Sequence, residues 1–313
     1  MRFEFYPLRF EFTARESLFF PPGKAANILR GALGVIFRRV ACAPDCADAR
    51  TCEIRHSCPY ADVFAPAADE GPSGLVDSPR PFVFRARHLD GLTIQAGRPF
   101  HFDLNVFALD PAVLGYFVLT FAALAREGLG PRRGKADLER VRRIAIGDFP
   151  EQVLFEGTVR ATAGSAEPAS LDLVPRLSPP HKIRVEFLSP TELKHEHRVT
   201  NQPEFPILFG RIRDRISTLR RLYGDGPLDI DFQGSGVRAA AVRMTRCEGR
   251  RVEADRLSSR TGECHSIGGF VGVAEYEGEL AEFLPYLEAG RWTGVGRQSV
   301  WGKGEIAVAR LSA

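Results

Sequence analysis

Two glycine-punctuated stretches, Gly128-Leu-Gly-Pro-Arg-Arg-Gly134 and Gly294-Val-Gly-Arg-Gln-Ser-Val-Trp-Gly-Lys-Gly304, constrain this chain more than any other feature. Each follows an apolar segment of helical character and precedes a strand-like run, so both halves of the chain end in the same succession of helix, glycine loop and strand. The segments before them repeat as well. Residues 2–13 (RFEFYPLRFEFT) alternate Phe3, Phe5, Leu8, Phe10 and Phe12 with Arg and Glu, which predicts a half-buried strand, and Pro7 marks a bulge or an edge in it. Ile28, Leu29, Leu33, Ile36, Phe37 and Val40 then keep helical spacing, with Gly31 and Gly34 suggesting close helix packing. Strand-like runs follow at 82–87 and 99–107. A helix is expected from Asp110, its N-cap with Pro111 in the first turn, to about Arg126. Lys135 to Ile146 reads as a strand, 152–159 as a hairpin and 161–180 as a soft linker.

The second half restarts with a strand at 182–187, a loop, and a helix from about Glu204 to Tyr223. Strands near 237–247 and 268–277, a helix at 279–287, the second glycine loop and a strand at 305–311 complete it. The order strand, helix, two strands, helix, strand is therefore spelled twice. Short echoes accompany it: ILRG at 28–31 against ILFG at 207–210, and FRRV against LRRL at the helix ends. The expected fold class is α+β: two tandem ferredoxin-like (RRM-like) βαββαβ domains, 1–178 and 179–313, with a cysteine-rich insertion at about 42–80 in the first.

A formal net charge of +3 is too small to establish a polyanionic partner, so the distribution of charge decides. Residues 131–143 hold six basic side chains against two acidic ones, and 211–221 hold five against one. Arg132 and Arg133 are the candidates for phosphate in the first run. In the second glycine loop, Gly294, Gly296, Gly302 and Gly304 allow positive φ and close backbone approach. Arg297 and Lys303 bring charge, Gln298 and Ser299 hydrogen-bonding groups, and Trp301 a flat apolar face, with Trp292 nearby. Such a loop suits a nucleic-acid backbone. A dinucleotide site does not fit, because its G-x-G-x-x-G turn follows a strand and opens a helix, the reverse of the order here. Gly302-Lys-Gly precedes a strand, which excludes a P-loop.

The motifs FLSPTELK (187–194), SSRTGECHSIGGFVG (258–272) and FLPYLEAGRWTGVGRQSVWGKG (283–304), with LRGALG (29–34) and CPYADVF (58–64) upstream, resemble the CRISPR-associated precursor-crRNA processing endoribonucleases of the RAMP superfamily. The resemblance spans almost the whole chain and is most specific in the last 130 or so residues. It implies two ferredoxin-like domains, a glycine-rich loop before the last strand, and metal-independent cleavage of CRISPR repeat RNA, leaving a 2′,3′-cyclic phosphate and a 5′-hydroxyl. It implies as partners the repeat RNA or crRNA and other CRISPR effector subunits. The alternative is a non-catalytic crRNA-binding subunit of an effector complex. A small-molecule enzyme on the same fold has no cofactor signature here.

Cleavage of this kind needs a base for the 2′-hydroxyl, an acid for the leaving 5′-oxygen and cations for the charged intermediate state. Many members of the resembled family carry a histidine in or just after the first helix, whereas residues 1–55 contain none. The candidates are His195 beside Lys194, His265, and His56 within the cysteine cluster, with Lys24 and Arg30 supplying charge from the first helix region. Ser259 and Arg260 are expected RNA contacts. Asp229 and Asp231, the one compact carboxylate pair, are the candidates for a metal-dependent nuclease.

Cys42, Cys46, Cys52 and Cys58 place four thiols in seventeen residues, in a loop unable to order itself alone. A structural zinc ion held by four thiolates is the first reading, an iron–sulfur cluster or reduced cysteines the others, and no cofactor is expected for catalysis. The opening residues lack the apolar core of a secretory signal, and the longest apolar run is about half of what a bilayer needs, so the expected location is cytoplasmic with no membrane partner.

Overall fold

Alternating aromatic and charged residues at the start of the chain form the central strand of a sheet, β1 (Arg2–Ala14), in the computed structural model. The structure describes residues 1–42, 46, 48–49, 51–66, 78–157, 166–196, 198–200, 202–257, 262 and 264–311. These fall into two units, Glu4–Ala169 and Met1–Phe3 with Ser170–Ala313. Among the described residues, no helix is long and apolar enough to cross a membrane.

In the first unit β2 (Leu18–Phe19) leads to α1 (Ala25–Ala41), the short α2 (Pro59–Phe64), β3 (Phe82–Arg85), β4 (Thr93–Ile94), β5 (Pro99–Val106), α3 (Pro111–Glu127), β6 (Ala136–Arg143) and β7 (Gln152–Glu156). The sheet order is β3-β5-β1-β6-β7, antiparallel throughout, and β2 pairs β4 apart from it. Leu8, Phe10, Phe12 and Ala14 are buried on one face of β1, whereas Arg9, Glu11 and Thr13 on the other stay half-exposed. Phe10 stacks on Phe102 at 5.5 Å and meets Phe121 of α3 at 4.6 Å, and Phe37 of α1 meets Phe117 edge-on at 5.4 Å. Aromatic rings thus join both helices to one face of the sheet. Asp110 caps α3 as expected, accepting from the Ala112 N–H at 2.7 Å, with Pro111 in the first turn.

Pro7 lies within a central strand, not at an edge. Its carbonyl accepts from the Ile144 N–H beyond the last β6 pair at Leu8, and its N faces the same side, so the missing donor falls where that ladder has ended. The bulge occurs later, between Glu11 and Phe12. Gly31 meets nothing a Cβ would touch, and Gly34 approaches only Arg30 and Phe64, so the packing argument applies to Gly34 alone. Gln152–Glu156 pairs with β6 instead of folding back on itself, and residues 158–159 lie outside the described residues.

β8 (Ala169–Asp172) pairs β1, and the Leu173 N–H donates to the Met1 carbonyl. The second unit then builds β9 (Lys182–Thr191), a two-residue-per-strand hairpin of β10 (Lys194–His195) and β11 (Arg198–Val199), α4 (Phe205–Tyr223) and α5 (Phe232–Ala240). β12 (Arg243–Val252), a small ladder of β13 (Asp255–Leu257) and β14 (Cys264–Ser266), β15 (Gly269–Glu277), α6 (Leu284–Thr293) and β16 (Ile306–Leu311) follow. The sheet order is β12-β15-β9-β16. Taking the four core strands of each unit in chain order, both sheets run second, third, first, fourth, which makes them two copies of the ferredoxin-like βαββαβ fold.

Two elements depart from the sequence reading. The expected strand at 237–247 is α5 as far as Ala240, because Asp231 caps it by accepting from the Gly234 N–H at 2.8 Å; only then does β12 begin. The expected helix at 279–287 is displaced to 284–293. It starts at Leu284 with Pro285 in its first turn and runs through Gly290, where an added Cβ would stand 3.2 Å from Ile212 of α4; the missing side chain lets the two helices close on each other. Phe209 of α4 meets Phe283 at 4.7 Å and Tyr286 at 5.6 Å beside that contact.

Candidate nucleic-acid interface

Residues 294–304 join α6 to β16 as a folded loop with four left-handed glycines, at φ of +72°, +74°, +76° and +68° for Gly294, Gly296, Gly302 and Gly304. Their freedom is spent on the protein's own backbone. A Cβ on Gly296 would lie 2.2 Å from the Glu192 carbonyl oxygen, and one on Gly304 1.9 Å from that of Val295. Gly296 thus lets the loop pack on the end of β9, and Gly304 lets it close on its own base. Val295 is fully buried and its N–H donates to the Gly304 carbonyl, closing the loop at its base.

The first unit repeats this closure. The Leu129 N–H donates to the Gly134 carbonyl at 2.8 Å, and a Cβ on Gly130 would lie 2.5 Å from the Phe19 carbonyl oxygen, in β2. Leu129 corresponds to Val295 and Gly130 to Gly296. The matching loop sequences therefore encode one device used twice.

Two hairpins are tied to the second loop. The Arg297 N–H donates to the Glu192 carbonyl at 3.1 Å, and its guanidinium donates to Glu192 Oε1 at 2.7 Å. Glu192 precedes β10, which carries Lys194 and His195. On the other side, Gln298 Nε2 donates to the Ser266 carbonyl at 2.6 Å, in β14, next to His265. The loop thus connects the segments bearing His195 and His265. His195 is exposed, with Nε2 3.8 Å from Glu196 Oε1. Lys194 is half-buried. Among the described residues, the non-glycine positions with positive φ are Arg133, Glu196 and Gln298, one in each glycine loop and one at the tip of the His195 hairpin. Such conformations cost about 1–3 kcal/mol and concentrate at functional sites.

Of the other expected contacts, Ser299 and Lys303 are buried, so neither presents a surface group; Ser299 Oγ donates to the Gly296 carbonyl at 3.3 Å. Trp301 and Trp292 are partly covered. Ser259 and Arg260 lie outside the described residues. Lys24, Arg30, His56, Arg132 and Arg133 belong to the first unit. Lys24 stands at the N-cap of α1, Arg30 lies over the Phe64 and Phe82 rings at 5.1 and 5.8 Å, and His56 is exposed. Arg132 lies over Phe19 at 5.6 Å and Arg133 donates to the Glu127 carbonyl, both exposed. In the basic 131–143 run, Arg140 pairs with Glu156 and Arg142 with Glu11 and Glu151, so much of its charge is already matched. Asp231 is occupied as a helix cap.

Glu192 escaped the sequence reading. Its only signal was an acidic residue within an apolar-flanked SPTEL segment, and burial at 8% side-chain exposure against a half-exposed Arg297 gives it its role. On the open face of this sheet, Glu275 receives Lys182, Arg184 and Arg246, and the hydrogen bonds from Lys182 and then Arg184 pull its carboxyl down to about 2. The first sheet instead carries a cavity of about 550 Å³ lined by Glu11, His101, Glu139, Arg140 and Glu156. Burial, aided by Arg9 and His88, lowers the His101 pKa, so carboxylates dominate there and a polyanion is disfavoured.

Comparison with known proteins agrees with this geometry. Residues 3–166 match the family AF_1859_N, an N-terminal domain, and residues 185–306 match the family of the CRISPR-associated endoribonuclease Cas6. Among solved structures, Cas6 (TTHB231) of Thermus thermophilus is 16% identical, covering 98% of both chains at a TM-score of 0.51. A product complex of Cas6 (TTHB231) is also 16% identical, covering 98% of this chain and all of that one at 0.53. A chain of a partial Cas6-RT-Cas1–Cas2 complex is 11% identical, covering 98% of this chain and 46% of that one at 0.56. No curated protein matches. The family model over residues 3–166 places the chain in the AF_1859_N family, and the endoribonuclease Cas6 model over residues 185–306, with the Cas6 fold along the whole length, marks it as a Cas6-type CRISPR-associated processing protein.

Proposed function

We propose that this endoribonuclease cuts CRISPR repeat RNA without a catalytic metal, by attack of the RNA's own 2′-hydroxyl. The observation that supports the reading is the double attachment of the glycine loop, through Glu192 to the Lys194-His195 hairpin and through Ser266 to the strand of His265. A loop so tied would hold RNA beside the two segments that carry His195 and His265. One histidine takes the 2′-hydroxyl proton, the 2′-oxygen bonds to the adjacent phosphorus, and the P–O5′ bond breaks. The other protonates the departing 5′-oxygen. Products are a 2′,3′-cyclic phosphate and a 5′-hydroxyl. Lys194 offsets the charge that builds on the non-bridging oxygens. Arg297, Gln298 and Trp301 position the strand from the loop, with Ser259 and Arg260 as further backbone contacts of the same unit, and Arg132 and Arg133 are phosphate contacts belonging to the first unit. The protein acts in the cytoplasm, on precursor crRNA, and hands its product to other CRISPR subunits; Cas6 structures with product and with Cas1–Cas2 are its fold relatives.

The test is cleavage of the cognate repeat RNA in excess chelator, beside RNA with a 2′-deoxy nucleotide at the scissile position. Cleavage that survives chelator and fails on the deoxy strand is the expected result. Loss of cleavage in chelator with restoration by Mg²⁺ overturns the metal-independent reading, and binding without product under all conditions overturns the catalytic one.

A further inference from the structure

Among the described residues of the insertion after α1, α2 is anchored by buried Val63 and Phe64, whereas the cysteine-bearing part before it has little to hold it together. The buried apolar cluster there consists of Ala49, Cys58 and Ala61, with Tyr60 and Ala65 beside it. A cluster of that size falls far short of the core a folded segment requires, and small units of this kind are ordinarily clipped by a metal or a disulfide. The described cysteines are free thiols. Three of them are neighbours: the Cys42 and Cys52 side chains stand beside that of Cys46. Arg38, in the last turn of α1, donates to the Cys46 carbonyl at 2.7 Å, anchoring the loop so that Cys46 returns toward the helix end where Cys42 caps it. Cys58 is buried at the start of α2.

We infer that Cys42, Cys46, Cys52 and Cys58 close around one zinc ion as a structural four-thiolate site. Among the described residues, no three ligand side chains already stand at metal spacing, so the ion completes the site by drawing the loop around itself, as zinc does where binding and folding are one event. Four thiolates at about 2.3 Å satisfy tetrahedral zinc with no open position, which makes the site structural and leaves the cleavage chemistry elsewhere. The chain segment thereby fixed runs from the C-terminus of α1 to α2, whose Phe64 packs edge-on against Phe37 at 5.3 Å, so the ion would stiffen the outer edge of the helix layer.

The experiment measures zinc by elemental analysis on protein purified without chelator, then replaces zinc by Co²⁺. About one zinc per chain is expected, together with the intense thiolate-to-cobalt absorption and tetrahedral visible bands, all lost in Cys46→Ser and in Cys52→Ser and retained in Cys247→Ser. Because a cysteine variant can fail to fold for other reasons, wild-type protein stripped by chelator is also probed by limited proteolysis. Stripping should raise cutting within 42–80 at least tenfold, and added zinc should restore protection. Metal-free protein whose insertion resists protease as well as the zinc-treated sample overturns the proposal. So does bound iron with visible absorption in the purified protein.

Discussion

Arg297 holds Glu192 twice, through its guanidinium at 2.7 Å and its backbone N–H at 3.1 Å, tying the glycine loop to the end of β9 across 105 positions of sequence. The carboxylate is 8% exposed and the guanidinium 53%, so the pair is asymmetric: removing the cation strands a buried anion, whereas the cation by itself is largely solvated. Arg297→Ala should lower stability by about 1–2 kcal/mol, less than a fully buried pair would cost because water screens the arginine, as read from urea unfolding. Glu192→Gln, which keeps an acceptor for the guanidinium, should cost less. No loss in Arg297→Ala would show the ion pair to be unimportant.

Glycines offer a matched comparison. Gly304→Ala forces a side chain into a left-handed φ of +68° and to within 1.9 Å of the Val295 carbonyl. The expected loss is about 3 kcal/mol or more, enough to depress soluble yield. Gly31→Ala, in the exposed interior of α1 with nothing within 4 Å, should instead raise stability by about 0.5–1 kcal/mol. Thermal unfolding of both distinguishes a loop built on its glycines from one that tolerates them.

Glu275 gives a pH signature. Its carboxyl is pulled from 4.5 to about 2 by Lys182 and Arg184, so its contribution to stability is complete above pH 4.5 and fades as pH falls toward 2. The stability difference between wild type and Glu275→Gln should therefore be constant from pH 5 to 8 and shrink below 4.5. Denaturant midpoints measured across that range check the window, and a gap that widens on acidification would contradict the sign.

His195 is exposed on its hairpin, which suits substitution without unfolding. His195→Ala should reduce single-turnover cleavage of repeat RNA by about 10²–10⁴-fold while leaving RNA affinity within a factor of about three. His265→Ala should give a comparable loss, and the two imidazoles should leave opposite limbs of the pH–rate profile. Unchanged single-turnover rates in both variants would move the chemistry to the first unit, where His56, Lys24 and Arg30 stand.

The repeated order of elements could be read from the chain because each rests on local pattern. Apolar alternation in β1, the Asp110-Pro111 start of α3 and the echo of Gly128-Leu-Gly in Gly294-Val-Gly need no distant partner to be recognised. Misreadings arose where a cap or a distant partner decides. Gly234 and Gly236 argue against a helix until Asp231 caps α5, and Gly290 looks like a helix end until Ile212 of α4 is seen to require its missing side chain.

For the site the division is sharper. Sequence alone determined which residue types the glycine loop carries, that it ends one βαββαβ unit, and that histidines lie in two flanking segments. Tertiary structure decided what those residues face. Gly296 and Gly304 meet the carbonyls of Glu192 and Val295, Lys303 is buried, and Glu192, which no local pattern distinguishes, becomes the latch. The reason is physical: positive φ and charge are properties of a residue, readable one position at a time, whereas burial and pairing belong to two residues far apart in the chain and exist only once the fold has brought them together.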